Sequence, residues 1–162
     1  MRKEPFIIEI FIFAFLVNSC NRMENSVCPA QVQEKGGYFF TARDGSKIFV
    51  REYIPVVNSA NTIYIMSGIT GVNHKSEEDI INILSHNTNR VVVVHPRGTG
   101  YSEGDRGDTA PDDIIEDYCE IIRNDSAFLS DSKKIFLFGH SMSCAFALEV
   151  AVLLPGLDGI IL

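Results

Sequence analysis

Cysteine is scarce and unpatterned in this sequence. There are four, at positions 20, 28, 119 and 144, with no C-x-x-C pair. Such spacing excludes a disulfide scaffold of the small secreted kind, and no His/Cys spacing suits zinc. Basic clusters are equally scarce. Beyond the start, Lys133 and Lys134 are the only adjacent pair, and the formal net charge is −7. That argues against a nucleic-acid partner, which calls for a basic patch. No internal repeat or low-complexity tract occurs. Asp105, Asp108, Asp112 and Asp113 lack the spacing of an EF-hand, so no metal is expected. What is present is a globular composition, 46% hydrophobic and 22% charged, unlike that of a disordered chain. A length of 162 residues fits one domain with a sizeable core.

The apolar content is uneven. Arg2 and Lys3 precede an apolar run of twelve residues, 6–17, and Asn18, Ser19 and Cys20 separate it from a polar stretch, 21–37. A spanning helix needs about 20 residues, and Glu9 inside the run would be costly in lipid. A basic start, a short apolar run and a small residue at the boundary read as a secretory signal peptide. Leu16-Val17-Asn18-Ser19-Cys20 resembles a bacterial lipoprotein box, in which the chain is cut before the cysteine and the thiol carries lipid. The resemblance implies a signal over 1–19, a lipid on Cys20, a polar tether over 20–37 and a domain over 38–162. It places the domain at a membrane, facing the periplasm or the cell exterior. Residues 1–19 hold two bases and two acids, so the charge after cleavage stays −7. The alternatives are an ordinary cleaved signal or an uncleaved apolar start on a cytoplasmic protein.

Two β-prone runs, 38–42 and 47–54, flank Asp44-Gly45, a hairpin signal because glycine accepts positive φ. In the second run Ile48, Val50 and Glu52 alternate with Phe49, Arg51 and Tyr53. A third strand is expected over 62–66. Ser76 with the following acids reads as a helix cap, and Ile80, Ile81, Ile83 and Leu84 as that helix's apolar face. Four consecutive valines in 90–94 suit a strand buried on both faces. A glycine-rich loop follows over 95–110. Pro111, Asp112 and Asp113 open a second helix, with Ile114, Ile115, Tyr118, Ile121 and Ile122 as its apolar face. A strand over 134–138, a helix over 142–154 and a strand from 159 complete the order. Three β-loop-α units after a hairpin predict an α/β fold, with a parallel sheet covered by helices on both faces. Ligands on such sheets sit at the carboxyl ends of the strands.

The chemical signal lies at one of those ends. An apolar strand, 135–138, runs into Gly139-His140-Ser141-Met142-Ser143 and then a helix. A strained strand-to-helix turn exposes a serine oxygen there and aims a helix N-terminus at a developing oxyanion. Gly-x-Ser-x-small is weak as a bare pattern and much stronger after a buried strand.

Here the sequence resembles the α/β-hydrolase superfamily, in particular its serine aminopeptidase, lysophospholipase and monoacylglycerol lipase-like branch. Gly139-His140-Ser141-Met142 resembles that branch's Gly-His-Ser-Met-Gly elbow. His95-Pro96-Arg97-Gly98-Thr99-Gly100-Tyr101-Ser102 resembles its Asp-x-Arg-Gly-x-Gly-x-Ser loop, and Ser67-Gly68-Ile69 stands where it has His-Gly-x. The resemblance covers residues 38–162. It implies Ser141 as nucleophile, the backbone N–H groups of Met142 and Ile69 as oxyanion hole, structural roles for Arg97, Gly98 and Gly100, no cofactor, and a small-molecule ester, lipid or peptide substrate. The sequence departs from the pattern at Ser143, Ser67 and His95, which replace a glycine, a histidine and an aspartate. Ser143 adds a side chain where strand and helix crowd, which predicts a slightly displaced elbow.

A Ser-His-acid mechanism needs a base on the serine and a carboxylate behind it, in the chain order Ser, acid, His. The 21 residues after Ser141 include Glu149 and Asp158 and no histidine. His140 is expected to pack or hydrogen-bond away from the serine, His74 to line a pocket or lie at the surface, His86 to end a helix and His95 to be structural. Cys119 and Cys144 are expected as small core or boundary residues, not as catalytic ones. The sequence ends within an apolar strand, and comparable α/β folds run about 200–250 residues. The expectation is therefore the front part of a hydrolase fold, with the C-terminal part missing and inactive as it stands. The alternative is a non-catalytic fragment, or a lipoprotein that uses the fold to bind a ligand or partner.

The lipid anchor is directly testable. In a bacterial host the chain is expected in the membrane fraction and Cys20→Ser in the soluble fraction. Equal membrane retention of both would remove the anchor.

Overall fold

The computed structural model describes residues 32–55, 61–67, 74–85, 89–105, 107–130 and 133–162. Cys20, Ile69 and His86, and with them the signal and the lipidation site, lie outside the described residues. Six strands form one sheet: β1 (Val32–Thr41), β2 (Lys47–Pro55), β3 (Asn61–Met66), β4 (Asn89–Val94), β5 (Lys134–Gly139) and β6 (Gly159–Ile161). Their order across the sheet is β1-β2-β4-β3-β5-β6. The β1–β2 and β2–β4 pairs are antiparallel, and β4–β3, β3–β5 and β5–β6 are parallel. Three helices connect them: α1 (His74–Ser85), α2 (Pro111–Arg123) and α3 (Ser143–Leu153). The expected hairpin followed by a parallel α/β sheet is the observed architecture. Among the described residues no helix is long and apolar enough to cross a membrane.

The hairpin closes as its sequence predicts. The Gly45 N–H donates to the Ala42 carbonyl at 2.9 Å, and the Ala42 N–H to the Ser46 carbonyl at 2.9 Å. Gly45 takes φ 90°, and an Asp44 carboxylate oxygen accepts the Ser46 N–H at 3.0 Å. β1 begins six residues before the run that announced it, so residues 32–37, read as tether, pair with β2. The pairing is irregular between Glu34 and Gly36, which explains why no clean alternation marks that stretch.

β4 is the centre of the domain. Val92 and Val94 join Ile48, Val50, Tyr64, Met66 and Leu137 in a core shared with α2 and α3. Val91 and Val93 face the other way, with Ile65 and Ile81. All four valines are essentially inaccessible, as a strand covered on both faces requires. The predicted apolar face of α2 is buried along its whole length. α1 departs from expectation in two respects. It starts at His74, so Ser76 lies inside the helix, past the cap position. Ile83 is 73% exposed, because only Ile80, Ile81 and Leu84 turn toward the second cluster.

At the amino end of β4, Arg90 binds Asp125 and Glu52, each at 2.7 Å, and the Tyr64 hydroxyl donates to Asp125 at 2.6 Å. Burial pushes the Asp125 carboxyl up, but the Tyr64 hydroxyl, the Ala127 N–H and Arg90 outweigh it and hold the pKa below the ordinary 3.8. A depressed carboxyl contributes stability that is present above its unfolded pKa and lost as pH falls through the folded one. Thermal midpoints measured from pH 4 down to pH 2 are therefore expected to fall less steeply for Asp125→Asn than for the parent. Equal slopes would show that Asp125 contributes nothing to acid unfolding.

Candidate active site

The loop after β4 is folded back on the hairpin. The Ser102 hydroxyl donates to the His95 carbonyl at 2.6 Å and accepts the Phe49 N–H at 2.8 Å. The Glu103 N–H donates to the Lys47 carbonyl at 2.9 Å, and the Lys47 N–H returns a bond to the Glu103 carboxylate at 2.8 Å. Arg97 forks onto Asp117 of α2 at 2.6 and 2.8 Å and also pairs with Asp44. Arg97, with the Ser46 N–H, holds the Asp44 carboxyl down at about 2. The structural role expected of Arg97 is thus visible as a bridge between hairpin, loop and α2. His95 is buried, stacked on Tyr101 and tilted against Phe49. Gly100 makes room for it, since a Cβ there would stand 2.1 Å from His95 Nδ1.

β5 delivers Ser141 to the carboxyl edge of the sheet. It ends at Gly139 and α3 begins at Ser143. Between them Ser141 takes φ 60°, the one positive φ of a non-glycine residue among the described residues. Left-handed backbone costs a residue with a Cβ about 1–2 kcal/mol, and such strain persists only where the surroundings enforce it. Strand and helix are in contact there. A Cβ on Gly139 would lie 3.0 Å from Cys144 Cα and the Ser143 carbonyl oxygen, and 3.1 Å from Ala147 Cβ. The turn leaves Ser141 exposed, beside the N-terminus of α3. No hydrogen bond among the described residues engages the Met142 N–H.

Ser143 brings its extra side chain to the crowded contact of strand and helix. It is buried and hydrogen-bonded. The His140 N–H donates to its hydroxyl oxygen at 2.9 Å, and that oxygen lies 2.7 Å from both the Met66 and His140 carbonyl oxygens. A capping box places a side chain three residues on that reaches back to a backbone N–H. A hydroxyl three residues after His140 is therefore the sequence signal that could have announced this bond. His140 is exposed, not packed. Cys119 is buried and Cys144 half-buried, a core and a boundary position.

The two carboxylates after Ser141 are remote from it. Asp158 accepts the Ile135 N–H at 2.7 Å and donates its own N–H to the Ile135 carbonyl at 2.8 Å. Ile135 is the second residue of β5, so Asp158 sits about 13 Å along the strand from Gly139, at roughly 3.3 Å per residue. Glu149 is exposed on α3, two turns beyond the elbow.

Residues 58–162 match the family model for serine aminopeptidase, S33. No curated protein matches the chain in sequence. Among solved structures, DcsB in complex with its substrate analogue is 24% identical with TM-score 0.66, over 78% of this chain and 43% of that one. Brefeldin A esterase, a bacterial homologue of human hormone sensitive lipase, is 16% identical with TM-score 0.66, over 87% of this chain and 42% of that one. A proline iminopeptidase-related protein from Thermus thermophilus is 21% identical with TM-score 0.60, over 79% of this chain and 43% of that one. These likenesses show the fold, and the chain spans less than half the length of each of the three.

The strain at Ser141 has a measurable consequence. Ser141→Gly removes the Cβ penalty and Ser141→Ala keeps it, so in urea unfolding the glycine variant is expected to be the more stable by about 1 kcal/mol. An alanine variant of equal or greater stability would show that the turn is unstrained.

Proposed function

Because the chain belongs to the serine aminopeptidase, S33 family of α/β hydrolases, we propose that it is a serine hydrolase whose nucleophile is Ser141. The observation that carries this reading is the φ of 60° at Ser141, on a sharp turn between a buried strand and a helix. The Ser141 oxygen attacks the carbonyl carbon of an ester, lipid or peptide. The carbonyl oxygen becomes an oxyanion, for which the N–H groups of Met142 and Ile69 are the proposed donors. The serine proton passes to a base and then to the departing alcohol or amine. An esterase and an iminopeptidase-related protein among the structural neighbours support this substrate class. The lipid on Cys20, and with it a place at a membrane facing the periplasm or cell exterior, belongs to the same proposal.

The 162 residues by themselves are proposed to be inactive. A serine hydroxyl needs a base within about 2.6–3.2 Å. No histidine follows Ser141, and Asp158 is committed to the backbone of Ile135. The same placement of histidines and acids favours a second reading, a non-catalytic chain that uses the fold to bind a ligand or partner.

A fluorophosphonate probe and a short-chain ester distinguish these readings. They are applied to the 162-residue chain and to the chain extended by whatever coding sequence continues it. Labelling of the extended chain alone, abolished by Ser141→Ala, is the expected result. Rapid Ser141-dependent labelling of the 162 residues would show that a base is already present. No Ser141-dependent labelling of either form would favour the binding reading.

A further inference from the structure

β3 and β5 run side by side in parallel, with Met66 opposite Gly139 at the last paired position. One residue later the two chains diverge, β5 into the elbow and β3 into the segment that begins with Ser67. The Ser143 hydroxyl stands at that fork. It accepts the His140 N–H at 2.9 Å and lies 2.7 Å from the Met66 carbonyl oxygen. Its single proton faces two acceptors, the carbonyls of Met66 and His140. One oxygen thus carries the β3–β5 hydrogen bonding one step beyond the last backbone pair. Ser143 is 2% exposed, so water has little access to replace it.

We propose that Ser143 is a positioning residue: its hydroxyl ties the elbow to the carbonyl end of β3 and thereby fixes the Met142 N–H relative to the chain that leaves Met66. The proposal rests on the reading of Ser141 as nucleophile and Met142 as oxyanion donor. A glycine or alanine at 143 offers the fork no side-chain donor or acceptor and leaves only the backbone N–H, which donates to the His140 carbonyl at 3.3 Å. A hydroxyl satisfies the His140 N–H and a carbonyl together, and an unpaired buried polar group is costly. The helix that starts at Ser143 carries the Met142 N–H at its head. A shift of the fork is therefore a shift of the oxyanion donor, and such donors act through placement.

The test uses the full-length protein, with Ser143→Ala, Ser143→Thr and a Ser141→Ala control. Two quantities are read. The first is hydrogen exchange of the His140 amide, expected to be about tenfold faster in Ser143→Ala and restored by Ser143→Thr, the change that loss of one buried hydrogen bond brings. The second is the saturation kinetics of fluorophosphonate labelling. The rate constant at saturating probe is expected to fall about tenfold in Ser143→Ala, with the half-saturating concentration and the labelled fraction unchanged, and to recover in Ser143→Thr. A residue that only supported folding would lower the labelled fraction and leave the rate constant alone. Unchanged exchange at His140 would overturn the latch. Normal labelling kinetics in Ser143→Ala, with faster exchange, would overturn the positioning role alone. Labelling of the parent that Ser141→Ala does not abolish would overturn the nucleophile reading and the positioning role with it, leaving the exchange rate to decide the latch.

Discussion

A parallel strand that becomes a helix within three residues must turn sharply in almost no length, and in this domain one residue with a side chain takes a left-handed backbone to do it. Here that residue is Ser141. The rest of the site follows from the same constraint. Gly139 has no side chain because α3 lies against it, and the small Ala147 is the helix residue that meets it. Ser141 is exposed because the turn pushes it out of the sheet. The head of α3, where among the described residues the Met142 N–H has no hydrogen-bond partner, is left beside the serine. A turn of this kind would relax if the elements around it were free to separate, so the clamps elsewhere in the domain bear on the site.

The clamps centre on β4. A guanidinium stands near each end of that strand, and both reach acids on or next to α2. Arg90 at the amino end holds Asp125 and Glu52. Arg97, just past the carboxyl end, holds Asp117 and Asp44. Between them, Tyr118 of α2 donates to the Val94 carbonyl at 3.0 Å. β4 is therefore tied near its amino end to Asp125, just past the end of α2, and at and just beyond its last residue to Tyr118 and Asp117 in the middle of that helix. Arg97 has the further effect of joining the hairpin to the same assembly. Ion pairs this enclosed add less net stability than their geometry suggests, because desolvation opposes them. Their directionality fixes register, and the carboxyl edge of the sheet is where register matters.

Most of this was legible in the sequence wherever a residue's local preference and its tertiary surroundings agree. The four valines, the Asp44-Gly45 turn, the Pro111 helix start and the apolar face of α2 all read as they fold. Sequence and structure part where tertiary pairing overrides local pattern. Residues 32–37 carry no alternation and still pair, because β2 offers them an edge. Ser76 resembles a cap, but α1 begins at His74. Ile83 fits an apolar stripe by composition and falls outside the buried arc by angle. In the site, the turn at Ser141 was legible because a strand–Gly-x-Ser–helix order leaves a serine few other places to go. The bond of the Ser143 hydroxyl to the Met66 carbonyl was not, because Met66 is 77 residues away in sequence and only the sheet order brings it near.

The departures from the family's elbow and loop patterns are absorbed in the structure by neighbouring groups. An aspartate at position 95 would be smaller and charged; the histidine found there is buried between Phe49 and Tyr101, and the bare Cα of Gly100 leaves space for its ring. The Tyr101 N–H donates to His95 Nδ1 at 3.3 Å, so the ring supplies the acceptor that a carboxylate would have offered. At position 143 a glycine would leave the fork between β3 and β5 without a side-chain partner, and serine supplies one oxygen that serves both strands. In both cases the new side chain is buried and meets a backbone group close in space. Each side chain is thus held by a matching backbone group at the carboxyl edge of the sheet, and the two contacts keep the elbow and its adjoining loop in one arrangement.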